Sequence, residues 1–177
     1  MEYYKRKSPR IPDFDYSGDQ FYFITICTHN KQCIFGEPEK LNTFGKMVCK
    51  DLLDIPTHFE HIRIDHYVVM PNHLHAIVVI GCDGRLGERP NLNTVVGQLK
   101  SGISRKIHSI NPNLKVWQRS YHDHVIRNDK SYQIIWEYIE TNPIRWEDDC
   151  FYKKNCRGGS RPSPTMGGFS FVFIHRQ

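Results

Sequence analysis

The 177-residue sequence lacks the features that mark membrane proteins and secreted proteins. No apolar run approaches the length of a membrane span, and no apolar segment follows the charged N-terminus, so no signal peptide is predicted. The six cysteines include no Cys-x-x-Cys pair, and their spacing does not match a zinc framework. We therefore expect a cytoplasmic protein whose thiols are reduced.

A basic excess along the whole chain is also missing. The formal net charge of +5 arises at the two ends, because residues 1–10 carry a net +3 and residues 151–177 a net +5, whereas residues 11–150 carry −3. One local cluster stands out, since residues 97–130 contain seven Lys and Arg against two acidic residues. Such a cluster can neutralise the phosphates of a nucleic acid, although a solvated helix face has the same composition.

Hydrophobic periodicity predicts seven regular elements. In chain order they are a strand at 21–28, a helix at 41–59, strands at 62–69 and 73–80, a helix at 93–110, a strand at 116–127 and a helix at 131–142. The two middle strands are so closely connected that they should pair antiparallel. This β-α-β-β-α-β-α order indicates an α+β fold in which helices pack on an antiparallel sheet.

The remaining segments are predicted to be irregular. Residues 1–19 form an arm without periodicity, residues 82–90 a charged loop, and residues 156–168 a flexible stretch. The apolar run at 169–174 either adds an edge strand or packs on the core, and the pattern does not decide between the two. We expect one domain over residues 1–150, followed by a basic Gly/Ser/Pro-rich tail over residues 151–177.

Two histidines on the predicted strand 73–80 are the first candidates for chemistry. Successive side chains of a strand point to opposite faces, so His73 and His75 project side by side while Leu74 points away. Two imidazoles on one rigid strand can bind a divalent metal ion. Two ordinary sheet histidines with backbone partners would give the same pattern, so both interpretations stay open.

The last predicted helix carries the second candidate pair. Tyr138 and Asn142 are four residues apart and share one face of the helix. A tyrosine hydroxyl, with a pKa of about 10, is a poor nucleophile at neutral pH and needs either proton removal or a metal that polarises the electrophile. An amide oxygen one turn away could complete the metal shell. A core tyrosine, followed by an asparagine that ends the helix before Pro143, explains the same residues.

A second His-x-His pair lies on the predicted strand 116–127. By alternation, His122 and His124 share one face of that strand. They are interpreted as metal ligands, as contacts to phosphates or bases, or as structural histidines, and composition does not separate these roles.

Together these three elements resemble the HUH-type tyrosine transposases and, within them, the REP-associated tyrosine transposases. The matching stretches are residues 67–75, which include Pro71-Asn72-His73-Leu74-His75, then residues 117–127, and then residues 138–143. They occur in the order and spacing of the family, and the opening strand at 21–28 also matches. The resemblance spans about residues 20–146, and three motifs in sequence form a specific signature.

The resemblance implies a role for each motif. It implies a ferredoxin/RRM-like palm in which His73 and His75 hold a divalent metal, Mg²⁺ or Mn²⁺, and in which Tyr138 is the nucleophile. Insertion-sequence relatives have a glutamine one turn after the tyrosine as the third ligand, whereas this chain has Asn142, as the REP-associated branch does. The implied reaction is the cleavage and rejoining of DNA by transesterification through a 5′-phosphotyrosine intermediate.

The resemblance also implies a substrate and a setting. The implied substrate is single-stranded DNA that forms hairpins from palindromic repeats. The implied protein is a monomer or homodimer that acts in the bacterial cytoplasm near the nucleoid and has no membrane partner. The resemblance, the charge cluster and the second histidine pair together suggest seven DNA-binding residues. They are Lys100, Arg105, Lys106, Arg119, His122, His124 and Arg127.

Two other functional classes remain as alternatives. A non-catalytic binder would keep the fold and bind structured single-stranded DNA without cutting it, but pure binding does not require the His-x-His and Tyr-x-x-x-Asn sets. A small metalloenzyme of the cupin type would use both histidine pairs for one metal, which requires that the pairs lie on the same face of adjacent strands.

Overall fold

A computed structural model describes residues 20–81 and 88–152 of the chain. The main elements are β1 (Gln20–Cys27), α1 (Thr43–Leu53), α2 (Ile55–His58), β4 (Ile62–Met70), β5 (His73–Ile80), α3 (Leu92–His108), β6 (His122–Ile126) and α4 (Asp129–Thr141). Between β1 and α1 lies a small hairpin of β2 (Gly36–Glu37) and β3 (Lys40–Leu41). Single 3₁₀ turns follow β1 at His29–Lys31 and α4 at Trp146–Asp148. The α+β fold predicted from the sequence is therefore confirmed.

The main sheet has four strands in the order β4-β5-β1-β6, and every neighbouring pair is antiparallel. The strands β4 and β5 form a tight hairpin in which Met70 pairs with His73, so that Pro71 and Asn72 make the turn. All eight residues of β5 are buried, because β5 has a strand on each side and helices over both faces. The antiparallel pairing predicted for the two middle strands is confirmed.

The two faces of the sheet are covered differently. The helices α1 and α3 pack on one face, where they form the larger core with the side chains of Tyr22, Ile24 and Ile26 from β1. The helix α4 packs on the other face through Ile135 and Ile139, which contact Phe23 of β1 and Ile77 and Val79 of β5. Because side chains alternate along a strand, His73 and His75 share the α4 face with Ile77 and Val79.

The helix α4 is fixed over β4 by polar contacts. Its N-terminus is capped by Asn128, whose side chain accepts a hydrogen bond from the backbone N–H of Ser131. Further along, the hydroxyl of Tyr132 donates to a carboxylate oxygen of Asp65. His66 stacks on the ring of Trp136 at 4.5 Å and lies 3.1 Å from a carboxylate oxygen of Glu140. Asp65 lies at a register irregularity between β4 and β5.

Three sequence predictions need correction. The predicted helix 41–59 is divided at Asp54 into α1 and α2, because Pro56 cannot donate the hydrogen bond that a continuous helix requires. The predicted strand 116–127 is shortened to His122–Ile126, because a bend at Arg119 interrupts it. Before the bend, Trp117 pairs with Thr28 through an isolated antiparallel bridge, and its indole N–H donates to the carbonyl of Lys100. Cys33 is disulfide-bonded rather than reduced, whereas Cys27, Cys49 and Cys150 are free.

Several predictions lie outside the described residues. They concern the irregular arm at 1–19, most of the loop at 82–90, the flexible stretch at 156–168 and the apolar run at 169–174. Phe151 is buried and packs in one cluster with Met70 and Trp146. Within the described parts of the chain, no helix is both long and apolar enough to cross a bilayer.

Candidate active site

His73 and His75 form the floor of the candidate site at the β4–β5 turn. Both side chains are fully buried, and their ring centroids lie 4.4 Å apart on the face of the sheet that α4 covers. The alternation of side chains along β5 produces this arrangement, as the sequence predicted. Two imidazoles held this rigidly can bind a single ion.

The turn residue Asn72 orients His73. The Asn72 amide nitrogen donates to the carbonyls of Lys31 at 3.3 Å and Phe151 at 2.8 Å, so its Oδ1 is left as the acceptor that faces His73 Nδ1 at 2.8 Å. This contact fixes the His73 proton on Nδ1 and leaves a lone pair on Nε2. His73 Nε2 is buried and has no hydrogen-bond partner within the described residues. An orienting partner on one nitrogen and a free second nitrogen are typical of a metal-binding histidine.

The central strand β1 orients His75. Thr25 of β1 pairs with His75 across the sheet, and its Oγ1 lies 2.9 Å from His75 Nδ1. The ring of Phe23 stacks on the imidazole with 5.2 Å between centroids. His75 Nε2 therefore points toward α4, where it faces the hydroxyl of Tyr138.

Both imidazoles are neutral at physiological pH. Burial, followed by the charge of Lys31, lowers the pKa of His73 from its ordinary value of 6.5 to about 3, although Asn142 acts in the opposite direction. Burial and the neighbouring His73 lower the pKa of His75 well below its ordinary value, although Asp149 opposes that shift. Because only a neutral imidazole offers a lone pair to a metal, both residues are held in the form that binds cations.

Tyr138 extends from α4 over the two histidines. Its hydroxyl lies 3.3 Å from His75 Nε2 and donates to Asp149 Oδ2, also at 3.3 Å. Its ring contacts the rings of His75 at 5.2 Å and Phe23 at 6.1 Å, both edge to face. The side chain is half-buried, so one side of it remains accessible. Burial and the negative charge of Asp149 raise the pKa of Tyr138, so the phenol is protonated in the metal-free protein.

Asn142 and Asp149 complete the site from the end of α4 and the 3₁₀ turn after it. The Asn142 amide nitrogen donates to Asp149 Oδ2 at 2.6 Å, and the backbone N–H of Phe151 donates to Asp149 Oδ1 at 2.6 Å. This leaves Asn142 Oδ1 buried without a hydrogen-bond partner in the described structure. The carboxylate therefore fixes the orientation of the amide.

The donor set of the site fits a divalent cation. One ligand atom from each of His73, His75 and Asp149 lies within 4.8 Å of the others, and all three residues are buried. Asn142 Oδ1 adds a second oxygen donor beside them. Asp149 was missed by the sequence analysis, because the acidic stretch of Glu147, Asp148 and Asp149 carries no spacing that relates it to a strand 70 residues earlier.

The predicted basic contacts on α3 lie across the sheet from Tyr138. The apolar side of α3 belongs to the core on the α1 face, so α3 and α4 cover opposite faces. Lys100 donates to the carbonyls of Gln118 at 2.7 Å and Arg119 at 3.1 Å. Lys106 forms an ion pair with Asp51, and Arg105 donates to the Ser101 hydroxyl.

The predicted DNA contacts on β6 lie on the same face of the main sheet as the site. His122 pairs with Thr25 and His124 with Phe23, so both histidines point to the side where His75 lies, and both are exposed. Arg119 and Arg127, which flank β6, are exposed as well. The strand β1 separates β5 from β6, so the two histidine pairs are not on adjacent strands. The cupin-like alternative, which requires adjacent strands, is therefore wrong.

Comparisons with known proteins identify the family. A family model described as an IS200-like transposase matches residues 20–142, which contain both histidines, Tyr138 and Asn142 but not Asp149. An uncharacterised protein of Haemophilus influenzae is 38% identical over 167 residues, covering 83% of this chain and 93% of the relative. The solved structure of a REP-associated tyrosine transposase bound to a REP hairpin matches with a TM-score of 0.57 at 20% identity, covering 82% of this chain and 74% of that one, and supports the fold. The chain therefore belongs to the IS200-like transposase family.

Proposed function

We propose that the protein is a metal-dependent single-strand DNA endonuclease and transposase that cleaves and rejoins hairpin-associated DNA with Tyr138 as its nucleophile. One observation carries the proposal: the Tyr138 hydroxyl lies 3.3 Å from Nε2 of a buried, neutral His75 within the same chain. A core tyrosine would not require two buried imidazoles, an amide and a carboxylate around its hydroxyl, because each buried polar group costs free energy unless it has a use or a partner.

Four residues would hold the metal. His73 and His75 supply their Nε2 atoms, and Asn142 Oδ1 and the Asp149 carboxylate supply oxygen. When bound, Mg²⁺ or Mn²⁺ would polarise the scissile phosphate and offset the effects that raise the pKa of Tyr138. Mixed nitrogen and oxygen ligands suit Mn²⁺, whereas oxygen-preferring Mg²⁺ is favoured by its abundance.

The bond changes of the proposed reaction are simple. A bond forms between the Tyr138 oxygen and the phosphorus of a phosphodiester, and the bond from that phosphorus to the 3′-oxygen breaks. The phenolic proton passes to Asp149 Oδ2, its hydrogen-bond acceptor, and the departing 3′-oxygen takes up a proton from solvent. The product is a 5′-phosphotyrosine with a free 3′-hydroxyl. Attack by the same or another 3′-hydroxyl reverses the reaction, so rejoining needs no nucleotide cofactor.

The uneven cover of the α4 face supports one path for the DNA. The helix α4 packs mainly over β4 and β5, whereas His122 and His124 on β6 remain exposed beside the site. We propose that the single strand enters over β6, where imidazoles can stack on unpaired bases, and that Arg119 and Arg127 contact its backbone.

The basic residues of α3 would contact a different part of the substrate. Lys100, Arg105 and Lys106 lie across the sheet from Tyr138, so they would bind the folded stem of a hairpin rather than the scissile strand. Hairpins of palindromic repeats are the proposed substrate, because the solved structural neighbour is described as bound to a REP hairpin. We propose that the protein acts in the bacterial cytoplasm at the nucleoid. It would act as a monomer or homodimer, and neither state needs a second chain to complete the site, since one chain contains all of the site residues.

A covalent-adduct assay tests the proposal. The protein is incubated with a 3′-end-labelled hairpin oligonucleotide that carries single-stranded flanks, in the presence of Mn²⁺ or Mg²⁺. A labelled band that survives denaturation is sought. The adduct should disappear in Tyr138→Phe and persist in Tyr67→Phe, a tyrosine that packs with the core on the α1 and α3 face. An adduct in Tyr138→Phe, or one that resists both chelator and His73→Ala, would refute these assignments.

A non-catalytic binder of structured single-stranded DNA is the second candidate. In the metal-free chain, burial and Asp149 raise the pKa of Tyr138, so the phenol would stay protonated unless a cation occupies the site. Under this alternative, the wild-type protein would retain a hairpin in a gel-shift assay but form no adduct with any divalent metal.

A further inference from the structure

The loop after β1 holds two residues in an uncommon backbone conformation. Asn30 has a φ of 54° and Lys31 a φ of 53°, both in the left-handed region that residues other than glycine adopt infrequently. The conformation is fixed by hydrogen bonds, since the Lys31 N–H donates to the Thr28 carbonyl and the Lys31 carbonyl accepts from Asn72. Asn72 also orients His73, so one side chain fixes both the lysine and the metal-binding histidine.

This conformation brings the Lys31 ammonium to the edge of the site. Its Nζ lies 4.6 Å from the centroid of the Phe151 ring, and that ring lies 4.6 Å from the His73 ring and 5.9 Å from the His75 ring. The charge of Lys31 reaches His73, where it contributes to the lowered pKa. Within residues 20–81 and 88–152, the ion pairs that the structure contains do not include Lys31.

A cation in this position works against the metal that the site would bind. Two positive charges on one cluster of neutral imidazoles repel each other, and only the Asp149 carboxylate offsets them within the cluster. The arrangement becomes favourable when an anion enters between them. In the proposed function, that anion is a phosphodiester. Lysine is a compact point charge that suits a single phosphate oxygen.

We propose that Lys31 binds a non-bridging oxygen of the scissile phosphodiester, on the His73 side of the site. This inference rests on the proposed function and adds a DNA-binding residue that the sequence analysis did not select. The Tyr138 hydroxyl contacts His75, whereas the Phe151 ring that Lys31 covers lies nearer to His73 than to His75.

Two binding measurements with opposite expected signs test the role of Lys31. Lys31→Met keeps the apolar stem over Phe151 and removes the charge, whereas Lys31→Arg keeps the charge. Lys46→Met, on the exposed side of α1, is the matched control. By calorimetry without DNA, Lys31→Met should bind Mn²⁺ more tightly than wild type. In the Tyr138→Phe background, Lys31→Met should bind a single-stranded oligonucleotide more weakly than the chain that keeps Lys31. The slope of log affinity against log salt concentration should be reduced by about 0.7. Lys31→Arg should restore DNA binding, and Lys46→Met should change neither affinity.

A backbone-modified oligonucleotide identifies the phosphate. A methylphosphonate at the scissile linkage removes one charge from the DNA, so wild type and Lys31→Met should bind that oligonucleotide equally. A difference that persists there, but vanishes when a neighbouring linkage is neutralised, would overturn the assignment to the scissile phosphate. Parallel losses of metal and DNA affinity would indicate a purely structural role and would overturn the inference as well.

The two proposals fail in different ways. Absence of an adduct in the wild-type protein refutes the proposed function. A normal adduct in the wild type, combined with unchanged DNA affinity and salt slope in Lys31→Met, refutes the role of Lys31 alone.

Discussion

Mild acid should destabilise the metal-free protein because His73 is buried in its neutral form. Its pKa is about 3 in the folded chain, against an ordinary value of 6.5. Between these values the unfolded chain binds a proton that the folded chain excludes, so the free energy of unfolding decreases as the pH falls below about 6.5. From about pH 7.5 to about pH 5.5, this linkage costs about 1.4 kcal/mol for His73 alone. His75 is shifted in the same direction and adds to the loss.

Urea denaturation at the two pH values, with chelator present, measures the effect. The comparison uses wild type, His73→Asn and, as the matched control, His58→Asn, which removes an exposed histidine on α2. The decrease in unfolding free energy should be smaller in His73→Asn than in wild type by about 1.4 kcal/mol, which corresponds to about 0.5–1.4 M in the urea midpoint. Because His73 also lowers the pKa of His75, the variant reports the coupled pair.

The refuting result is an equal pH dependence in wild type and His73→Asn. It would mean that His73 takes up a proton without unfolding, and that the buried pair is not held in the neutral form that binds metal. Saturating Mn²⁺ provides a second check. Because the ion binds only the folded state, the wild-type stability should rise more at the higher pH than at the lower one.

Four other substitutions test the supports of the site and of the fold. Asn72→Ala removes the acceptor that orients His73, so Mn²⁺ affinity measured by calorimetry should fall about 10–100-fold, and an unchanged affinity would contradict the role of this side chain. Asp149→Ala removes a candidate ligand and frees the Asn142 amide, so we expect a loss of similar size, whereas unaltered binding would leave Asn142 as the sole oxygen donor. Gly45→Ala should destabilise the chain by about 1–3 kcal/mol in urea, because the new Cβ would lie 2.4 Å from the Phe35 carbonyl oxygen. Gly97→Ala, which meets nothing within 4 Å on α3, should be neutral or stabilising by up to about 1 kcal/mol, and equal effects of the two glycine substitutions would contradict the packing at Gly45.

Local sequence patterns predicted the sheet and the placement of the two central histidines well. The hairpin of β4 and β5 follows from two apolar runs separated by Pro71 and Asn72, and strand alternation alone places His73 and His75 on one face. The helical spacing of Tyr138 and Asn142 likewise places both at the site. These features depend on neighbours within a few residues, which a sequence displays directly.

The parts that the sequence did not predict depend on distant contacts. Asp149 joins the site because the chain turns back after α4, and Lys31 does so because Asn72 binds its carbonyl in a left-handed conformation. Neither has a periodicity to detect. The predicted DNA-binding residues between 97 and 130 are close in sequence, yet the sheet divides them, since Lys106 on α3 lies over one face and His124 projects from the other. Trp117 pairs with the sheet through a single bridge to Thr28, because its indole ring also docks on α3.

The contact between Tyr138 and His75 within one polypeptide also affects how defective copies would behave together. A mixture of one variant without the phenol and another without the imidazoles should stay inactive, since the two variants cannot complement each other. The activity of each gene product would then depend only on its own sequence. Any event that needs two cut ends at the same moment would require two intact molecules, because each chain carries one Tyr138 beside its own pair of histidines.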